Sequence, residues 1–502
     1  MREETALYRA LYQSILTQIY SGVIRRGQRF PSQRQICAQY NVGITTVRKA
    51  IRMLEEEGVI DAGPGRRATV RFDAHSEACA RALARRADAI RSAYIALELL
   101  MPPFYAAALL RRRGGAQTPR GLTARWKEAP VEAYRSLTRC SVALTTPCRN
   151  PLLLDLQADL EHYVRIPSLP GPGLGEPLEA TGAYLQSGIW EIETLAKEGG
   201  ADRLTAGLER IYRAAGRGVE RVLERLEQRY PLADGEQEVY RWFFGRARSP
   251  LYAAVARSLG RRMEAGEFRR QSYLPSVPQI MRAYGVSKST AWNAVCLLSD
   301  TGLVVAVDKK GVRPRGEEPL PPVRLDGGVI LEHLILFLDA LQILAVSGGR
   351  LALAAAQGLP TAACGTIAAQ WEGMWGEALP HQAVQLLLGF LKSHVPGACL
   401  KEILGQMDAL LIWGYYLKRL PRDPRAPALE EELGRHFREA AALLRRGEAG
   451  AFAGQAQAVL RCAYRFARRQ LAALVPDPAR LPAALEGPQS PRATGAGRMG
   501  NK

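Results

Sequence analysis

LYRALYQSILTQIYSGVIRRGQRFPSQRQICAQYNVGITTVRKAIRMLEEEGVIDAGPGRRATVRF, residues 7–72, holds the signals of three helices and a β-ribbon in one stretch. Leu7, Leu11, Ile15 and Ile19 recur at helical spacing over Ala6–Tyr20, and Gly22 ends that helix. Phe30-Pro31-Ser32 precedes a short second helix, with Ser32 as its N-cap and Gln35 as the capping-box partner. Ile36 and Cys37 are expected to face inward from it. Tyr40-Asn41-Val42-Gly43 makes a tight turn. A third helix runs from about Ile44 to Glu57 with Val47, Ala50, Ile51 and Leu54 inward, and Gly58 stops it. Val59–Asp61 and Ala68–Phe72 read as two short strands joined through Gly63-Pro64-Gly65-Arg66-Arg67.

That order of elements predicts a winged helix-turn-helix. Its third helix enters the major groove with its N-terminal end at the base edges. Thr45, Thr46 and Arg48, with Lys49 beside them, are expected to point away from the apolar stripe. An arginine at such a position grips guanine through two hydrogen bonds. Arg66 and Arg67 stand beside glycines that let backbone approach a phosphate or the minor groove.

Residues 251–313 repeat the pattern as LYAAVARSLGRRMEAGEFRRQSYLPSVPQIMRAYGVSKSTAWNAVCLLSDTGLVVAVDKKGVR, at an offset of 244 that pairs Pro31 with Pro275 and Gly58 with Gly302. A repeat at that distance is a duplicated domain. The apolar positions persist as Ile280, Val286, Ala291, Val295 and Leu298, and Ser287 supplies an N-cap where the first copy has Gly43. The readers do not persist. Arg34 becomes Pro278, Arg48 becomes Trp292, Lys49 becomes Asn293, and the wing becomes AVDKKG at what reads as an altered spacing. Charge compensates. Residues 1–73 hold 12 Lys+Arg against 7 Asp+Glu, a net of +5, whereas residues 246–316 hold 13 against 4, a net of +9. Phosphate attraction follows this count and ignores sequence. Lys288, Ser289, Thr290, Lys309 and Lys310 are therefore expected to touch DNA. Trp292 has two open readings: contact with a sugar or thymine methyl, or burial in a core or interface.

Composition agrees with a nucleic-acid partner. The chain has 502 residues, 47% of them apolar, and a formal net charge of +19. A soluble protein so basic is expected to meet a polyanion. Its 8 cysteines form no C-x-x-C pair, which predicts a reducing compartment without a disulfide framework and, with no apolar signal core in MREETALYRA, a cytoplasmic location. The most apolar stretch, Val329–Val346, carries Glu332, His333 and Asp339 and reads as a buried helix rather than a membrane span. No G-x-S-x-G, H-E-x-x-H or P-loop occurs, and no setting for a Schiff-base lysine, so no enzyme and no cofactor are expected. The histidines lack i, i+3 or i, i+4 spacing with one another, so no metal is expected either.

Four blocks and a tail follow: a first winged helix over 1–73, an all-helical effector or oligomerisation block over 74–245, a divergent second winged helix over 246–316, a second all-helical block over 317–475, and a Pro/Gly/Ala-rich tail over 476–502 expected to be disordered. The fold class is mainly α with small β wings. The helical blocks also share apolar positions at an offset of 247 (Leu153/Leu400, Leu156/Ile403, Leu160/Met407), so the duplicated unit is a winged helix with its helical block.

The LY start, the S-G turn, F-P-S-x-R, V-x-x-T-T-V-R-K-A, L-x-x-E-G and the glycine wing resemble the GntR family of bacterial transcription regulators. The resemblance covers about 65 residues and implies DNA contacts at Arg34, Thr45, Thr46, Arg48 and Gly65. Gly43 and Ile44 depart from it where Ser/Thr and Arg/Lys are usual, which implies a different operator preference. It also implies a helical domain that binds a small-molecule effector and respaces the DNA modules, as in an effector-gated repressor. Candidate lining residues are Tyr94, Tyr105, Arg135 and His162, and in the second half Trp371, Trp375, Trp413 and Tyr415. Winged helices of this kind pair on two-fold sites; here either two chains form a homodimer or one chain pairs its own halves. The rival reading is an architectural protein that coats double-stranded DNA by charge with little sequence preference.

Overall fold

The computed structural model describes residues 2–20, 24, 26–40, 44–61, 68–72, 76–111, 130–166, 169, 194–195, 200–242, 251–264, 266–268, 273–308, 310–315, 328–375, 380–419, 424, 426–473, 475 and 477–485. The fold is mainly α, and it contains the winged helix twice.

In the first module α1 (Arg2–Tyr20), α2 (Gln33–Tyr40) and α3 (Ile44–Glu56) surround Leu11, Ile15, Ile19, Ile36, Val47, Ala50 and Leu54, all buried. The capping box of α2 forms as its sequence demands: Ser32 N donates to Gln35 Oε1 (2.8 Å) and Gln35 N donates to Ser32 Oγ (3.3 Å). Gly58, at φ +69°, takes the left-handed turn after α3 and lets Val59 N reach back to Leu54 O (2.9 Å). Strands β1 (Ile60–Asp61) and β2 (Thr69–Val70) pair antiparallel, and Arg29 bridges to Thr69 on the far edge. Cys37, expected inward, is only half-buried.

The second module repeats each device. It consists of α10 (Leu251–Glu264), α11 (Val277–Tyr284), α12 (Lys288–Asp300), β3 (Val304–Val307) and β4 (Gly311–Pro314). Ser276 and Gln279 form the capping box, Ser287 caps α12, and Gly302 (φ +75°) repeats Gly58. One expectation is overturned. Ile60 pairs with Val70 and Val304 pairs with Pro314, each shifted by the same 244 residues, so the wings share one register and their spacing is unaltered. Gap-free alignment ran past the point where side-chain identity disappears, because ladder register is set by backbone pairing and the turn.

The remaining helices form two halves. The first has α4 (Glu77–Arg85), α5 (Ala87–Leu100), α6 (Pro102–Arg111), α7 (Pro130–Thr145), α8 (Pro151–Tyr163) and α9 (Ala201–Arg229). The second has α13 (Gly328–Gln357), α14 (Thr361–Trp375), α15 (Pro380–His394), α16 (Ala398–Leu410), α17 (Ala426–Arg445) and α18 (Ala449–Ala472). Contacts recur in parallel: α9 lies on α5 and α6 as α18 lies on α13, and α8 meets α7 as α16 meets α15. They also recur across the halves. α5 packs on α16 while α13 packs on α8, and α5 meets α13 directly. Such reciprocity is the signature of an isologous contact about a two-fold axis. It extends to single hydrogen bonds. Cys399 N, at the start of α16, donates to Ser92 Oγ of α5 (2.7 Å). Asn150 Nδ2, at the start of α8, donates to the Asp339 carbonyl of α13 (2.9 Å). Positions 92 and 339 are related by the 247-residue offset. Gly397 stands where the first half has Asn150; its φ is +81° and a Cβ there would lie 2.6 Å from Ser92 Oγ.

Two helices, Ala87–Arg111 and Leu331–Gln357, are long and apolar enough to cross a membrane, but 67% and 89% of their most apolar windows are buried inside the protein. They are the central helices of the two halves. Part of the expected disordered tail is packed instead: Pro478–Arg480 forms a 3-10 turn, Leu481 is fully buried, and Ala483 N donates to Cys148 O (2.8 Å). Leu481 supplies the apolar anchor that a Pro/Ala-rich composition conceals. Residues 316–327 and 486–502 lie outside the described residues.

Candidate nucleic-acid interface

α3 is strongly one-sided, and that decides which of its side chains face out. Val47, Ala50, Ile51 and Leu54 are buried, whereas Ile44, Thr45, Arg48 and Lys49 are exposed. Thr46, expected to point outward, is buried at 7% exposure. It sits one turn before Ala50 on the apolar stripe, so the packing of α3 covers most of it. Arg34 is exposed on α2. Gln33 Oε1 accepts from Arg48 Nε at 3.4 Å, and Lys49 Nζ lies 5.6 Å from the Tyr8 ring centroid. The arginine thus starts from a held position, which lowers the ordering cost of a base contact. Gly65, Arg66 and Arg67 lie outside the described residues.

On α12, Lys288, Ser289, Trp292 and Asn293 are exposed and Thr290 is half-buried, with Thr290 N donating to Ser287 Oγ (3.2 Å). Trp292 is 58% exposed, which removes the reading of it as a core residue. Lys310 is exposed at the register position of Arg66; Lys309 lies outside the described residues.

The modules are docked on their helical halves by different chemistry. Arg86, 2% exposed, donates to Thr17 Oγ1 of α1 (3.4 Å) and to the Tyr163 carbonyl (3.2 Å), and its guanidinium lies 4.2 Å from the Tyr163 ring centroid. It joins α1 to the C-terminal end of α8, where the helix dipole favours a cation. In the second module Arg257 of α10 meets Asp408 of α16 (3.5 Å), and Lys392 donates to the other Asp408 oxygen (2.9 Å). A strap over 230–242 then crosses the joint: Gln13 donates to Val239 O (3.3 Å), Glu238 N to Arg85 O (2.8 Å) and Arg241 to Glu402 (3.1 Å).

The residue equivalent to Asp408 in the first half is Glu161, and it faces no cation among its closest partners. Gln157 donates to it (3.0 Å) and the Tyr105 hydroxyl hydrogen-bonds to it, with Ser141, whose hydroxyl donates to the Thr138 carbonyl (3.0 Å), beside them. Tyr105 in turn accepts from Tyr212 (3.3 Å) with the rings stacked. Burial pushes the Glu161 carboxyl up to about 7, against the opposing hydrogen bonds. Asp159 is pushed up to about 7 as well, chiefly by burial, although Tyr240 and Arg86 stabilise its anion. Both groups hold protons in the folded state that the unfolded chain, with ordinary values of 4.5 and 3.8, releases earlier. Stability is therefore expected to fall as pH rises from about 4 to about 7 and to level off above. Thermal unfolding of Glu161→Gln against wild type checks this: the variant should lose part of that slope, and an unchanged slope contradicts the assignment.

The sequence-stated lining set is only partly brought together. Tyr105 belongs to this network, and Tyr94 packs on α9 against Gly216. His162 is half-buried, and burial lowers its pKa. The Arg135 side chain lies outside the described residues. Glu161, Ser141 and Tyr212 were missed because a helical sequence does not say which of its polar residues turn inward. In the second half Trp371 is core, packed with Phe390, Phe437 and Phe452 at 5.2–6.4 Å, and so is not a pocket residue. Trp413 stacks on His333 at 4.2 Å; the Trp375 and Tyr415 side chains are outside the described residues. Glu432, His436 and Cys462 bring three metal-type ligand atoms within 4.8 Å, a group that a search for paired histidines overlooks. Arg465 already supplies its cation, donating to Glu432 (2.6 Å) and to Cys462 Sγ (3.0 Å).

Comparison with known proteins agrees with this geometry. The family profile described as "Bacterial regulatory proteins, gntR family" matches residues 7–70 and again 251–313. A "Probable fructoselysine utilization operon transcriptional repressor" of Escherichia coli (strain K12) is 43% identical over 54 residues, which is 11% of this chain and 22% of that protein. Its counterpart in Shigella flexneri matches to the same extent. The chain thus spans about a fifth of the length of these curated relatives. A solved structure, "Lar controls the expression of the Listeria monocytogenes agr system and mediates virulence", aligns with a TM-score of 0.23 and 16% identity over 43% of this chain and 97% of that one. Two matches to one family profile, each on a winged helix, show that this chain carries the gntR-type winged-helix module twice.

Proposed function

We propose that the chain is a cytoplasmic, non-enzymatic, effector-gated repressor that acts as its own dimer. In this reading residues 1–73 and 246–316 are the two DNA modules, and 74–245 with 317–475 form the paired helical body that sets their spacing. The observation that carries it is the reciprocal packing of α5 on α16 and α13 on α8, which supplies within one chain the two-fold contact that separate subunits otherwise make. Arg34, Thr45, Arg48 and Lys49 read the first half-site, with Gly65, Arg66 and Arg67 on the wing; Lys288, Ser289, Lys309 and Lys310 hold the second. Repression follows the name of the curated relatives.

The effector site in this reading is the Glu161–Tyr105–Tyr212–Ser141 cluster. α8 carries Glu161 and also touches α1, so a ligand that rearranges those hydrogen bonds would shift the docking of the first module. The second module is fixed by the Arg257–Asp408–Lys392 cluster and would stay in place.

Selection of bound duplexes from random DNA, with the mass of the complex measured by light scattering, tests the reading. The expected outcome is an asymmetric motif bound by one chain. A palindrome bound by two chains would replace the self-paired reading with a homodimer. Binding without a motif, fading steeply with salt, would support the charge-driven coating protein instead.

A further inference from the structure

We propose that the second winged helix reads base sequence, through Trp292 and Asn293, and that it selects an A·T-containing half-site unlike the one read by Arg48. The inference rests on the DNA-binding reading above and deepens it.

Three observations converge. First, α12 presents an intact reading face. Its inner side, Ala291, Ala294, Val295 and Leu298, is buried, while Lys288, Ser289, Trp292 and Asn293 form an exposed patch in which 288 and 292, and 289 and 293, stand one turn apart. Among the described residues neither the Trp292 nor the Asn293 side chain makes a hydrogen bond, ion pair or ring contact with the rest of the chain. An indole 58% exposed to water in this chain is therefore available to a partner.

Second, the frame that delivers a recognition helix is complete. The α11 capping box, the Ser287 cap and the wing register are those of the first module, so α12 is carried as α3 is. Ser287 and Lys288 even supply the cap and the cation that Gly43 and Ile44 lack. Third, the surroundings are cationic. Residues 246–316 carry a net charge of +9, with Arg282, Lys288 and Lys310 exposed. That charge favours a phosphate backbone over an apolar protein surface.

The chemistry of the two side chains then specifies the bases. An asparagine carboxamide donates to adenine N7 and accepts from adenine N6, a bidentate match that no other base offers in the major groove. The apolar feature of that groove is the thymine C5-methyl, which an indole face covers. Arg48, at the position equivalent to Trp292, matches guanine instead. The two modules should thus select different half-sites, and the chain a composite one.

The test uses the full chain as wild type, Trp292→Ala, Asn293→Ala and Arg48→Ala, each selected against random duplexes and then titrated on the wild-type site. Asn293→Ala should erase adenine preference in one half only, weakening binding about tenfold. Arg48→Ala should erase guanine in the other half and leave the A·T half intact. Replacing thymine by uracil in that half removes the methyl alone; it should weaken wild type severalfold and leave Trp292→Ala unmoved. If Trp292→Ala and Asn293→Ala keep the wild-type motif and affinity while Arg48→Ala loses its half, the inference fails, the regulator reading stands, and the exposed indole belongs to a protein contact. If no variant and no wild type yields a motif, the regulator reading itself falls.

Discussion

Arg48→Ala is expected to erase the guanine preference at one or two positions in one half of the selected DNA motif while the protein remains as stable as wild type. The guanidinium is exposed at the N-terminal end of α3 and its one described hydrogen bond, to Gln33, is long at 3.4 Å. A bidentate contact to guanine discriminates by about 1–3 kcal/mol, whereas surface substitutions away from special features move stability by roughly 0.5 kcal/mol or less. The variant should therefore show a flattened preference at one position or two, near-wild-type affinity for random duplex at low salt, and an unchanged melting curve. Retention of the full motif would mean that α3 does not lie in the groove as its exposed face suggests. Thr46→Ala makes the contrast: its buried side chain should affect stability more than base preference.

Asp408→Ala should produce the largest loss of stability. Its carboxylate is 6% exposed and stands between Arg257, whose side chain is 4% exposed, and Lys392. Removing it leaves a buried guanidinium without its counter-ion, and breaking a buried pair in this way costs about 3–5 kcal/mol. The loss should concentrate where α10 meets α16, so limited proteolysis should release the second module before the first. Replacing the pair together, as Arg257→Met with Asp408→Leu, should recover much of the loss, because a buried ion pair is often no better than apolar packing of like volume. A single variant as stable as wild type, measured by denaturant unfolding, would contradict the docking of α10 through this cluster.

Much of the site was legible in the residues. Amphipathic periodicity placed α3, and the spacing of Ser32 and Gln35 placed the capping box of α2, because those are local devices that act within a few residues of chain. The duplicated module followed from identities at one fixed offset. Thr46 and the second wing show where such reading stops. A threonine beside Arg48 looks like a groove residue until the packing of α3 turns it inward, and the wing register became visible only from backbone pairing.

The sequence by itself determined that there are two winged helices, where their recognition helices begin, and which of them kept an arginine at the reading position. Only the tertiary structure decided that the two helical halves embrace reciprocally, that Glu161 keeps hydroxyl partners while its counterpart Asp408 is taken by Arg257 and Lys392, and that Trp292 faces water. The physical reason is range. Helix stripes, caps and turns are set by neighbours three or four residues away, which a sequence displays directly. Which buried carboxylate meets a cation depends on side chains some 16 and 151 residues distant, brought together by packing that no local pattern encodes.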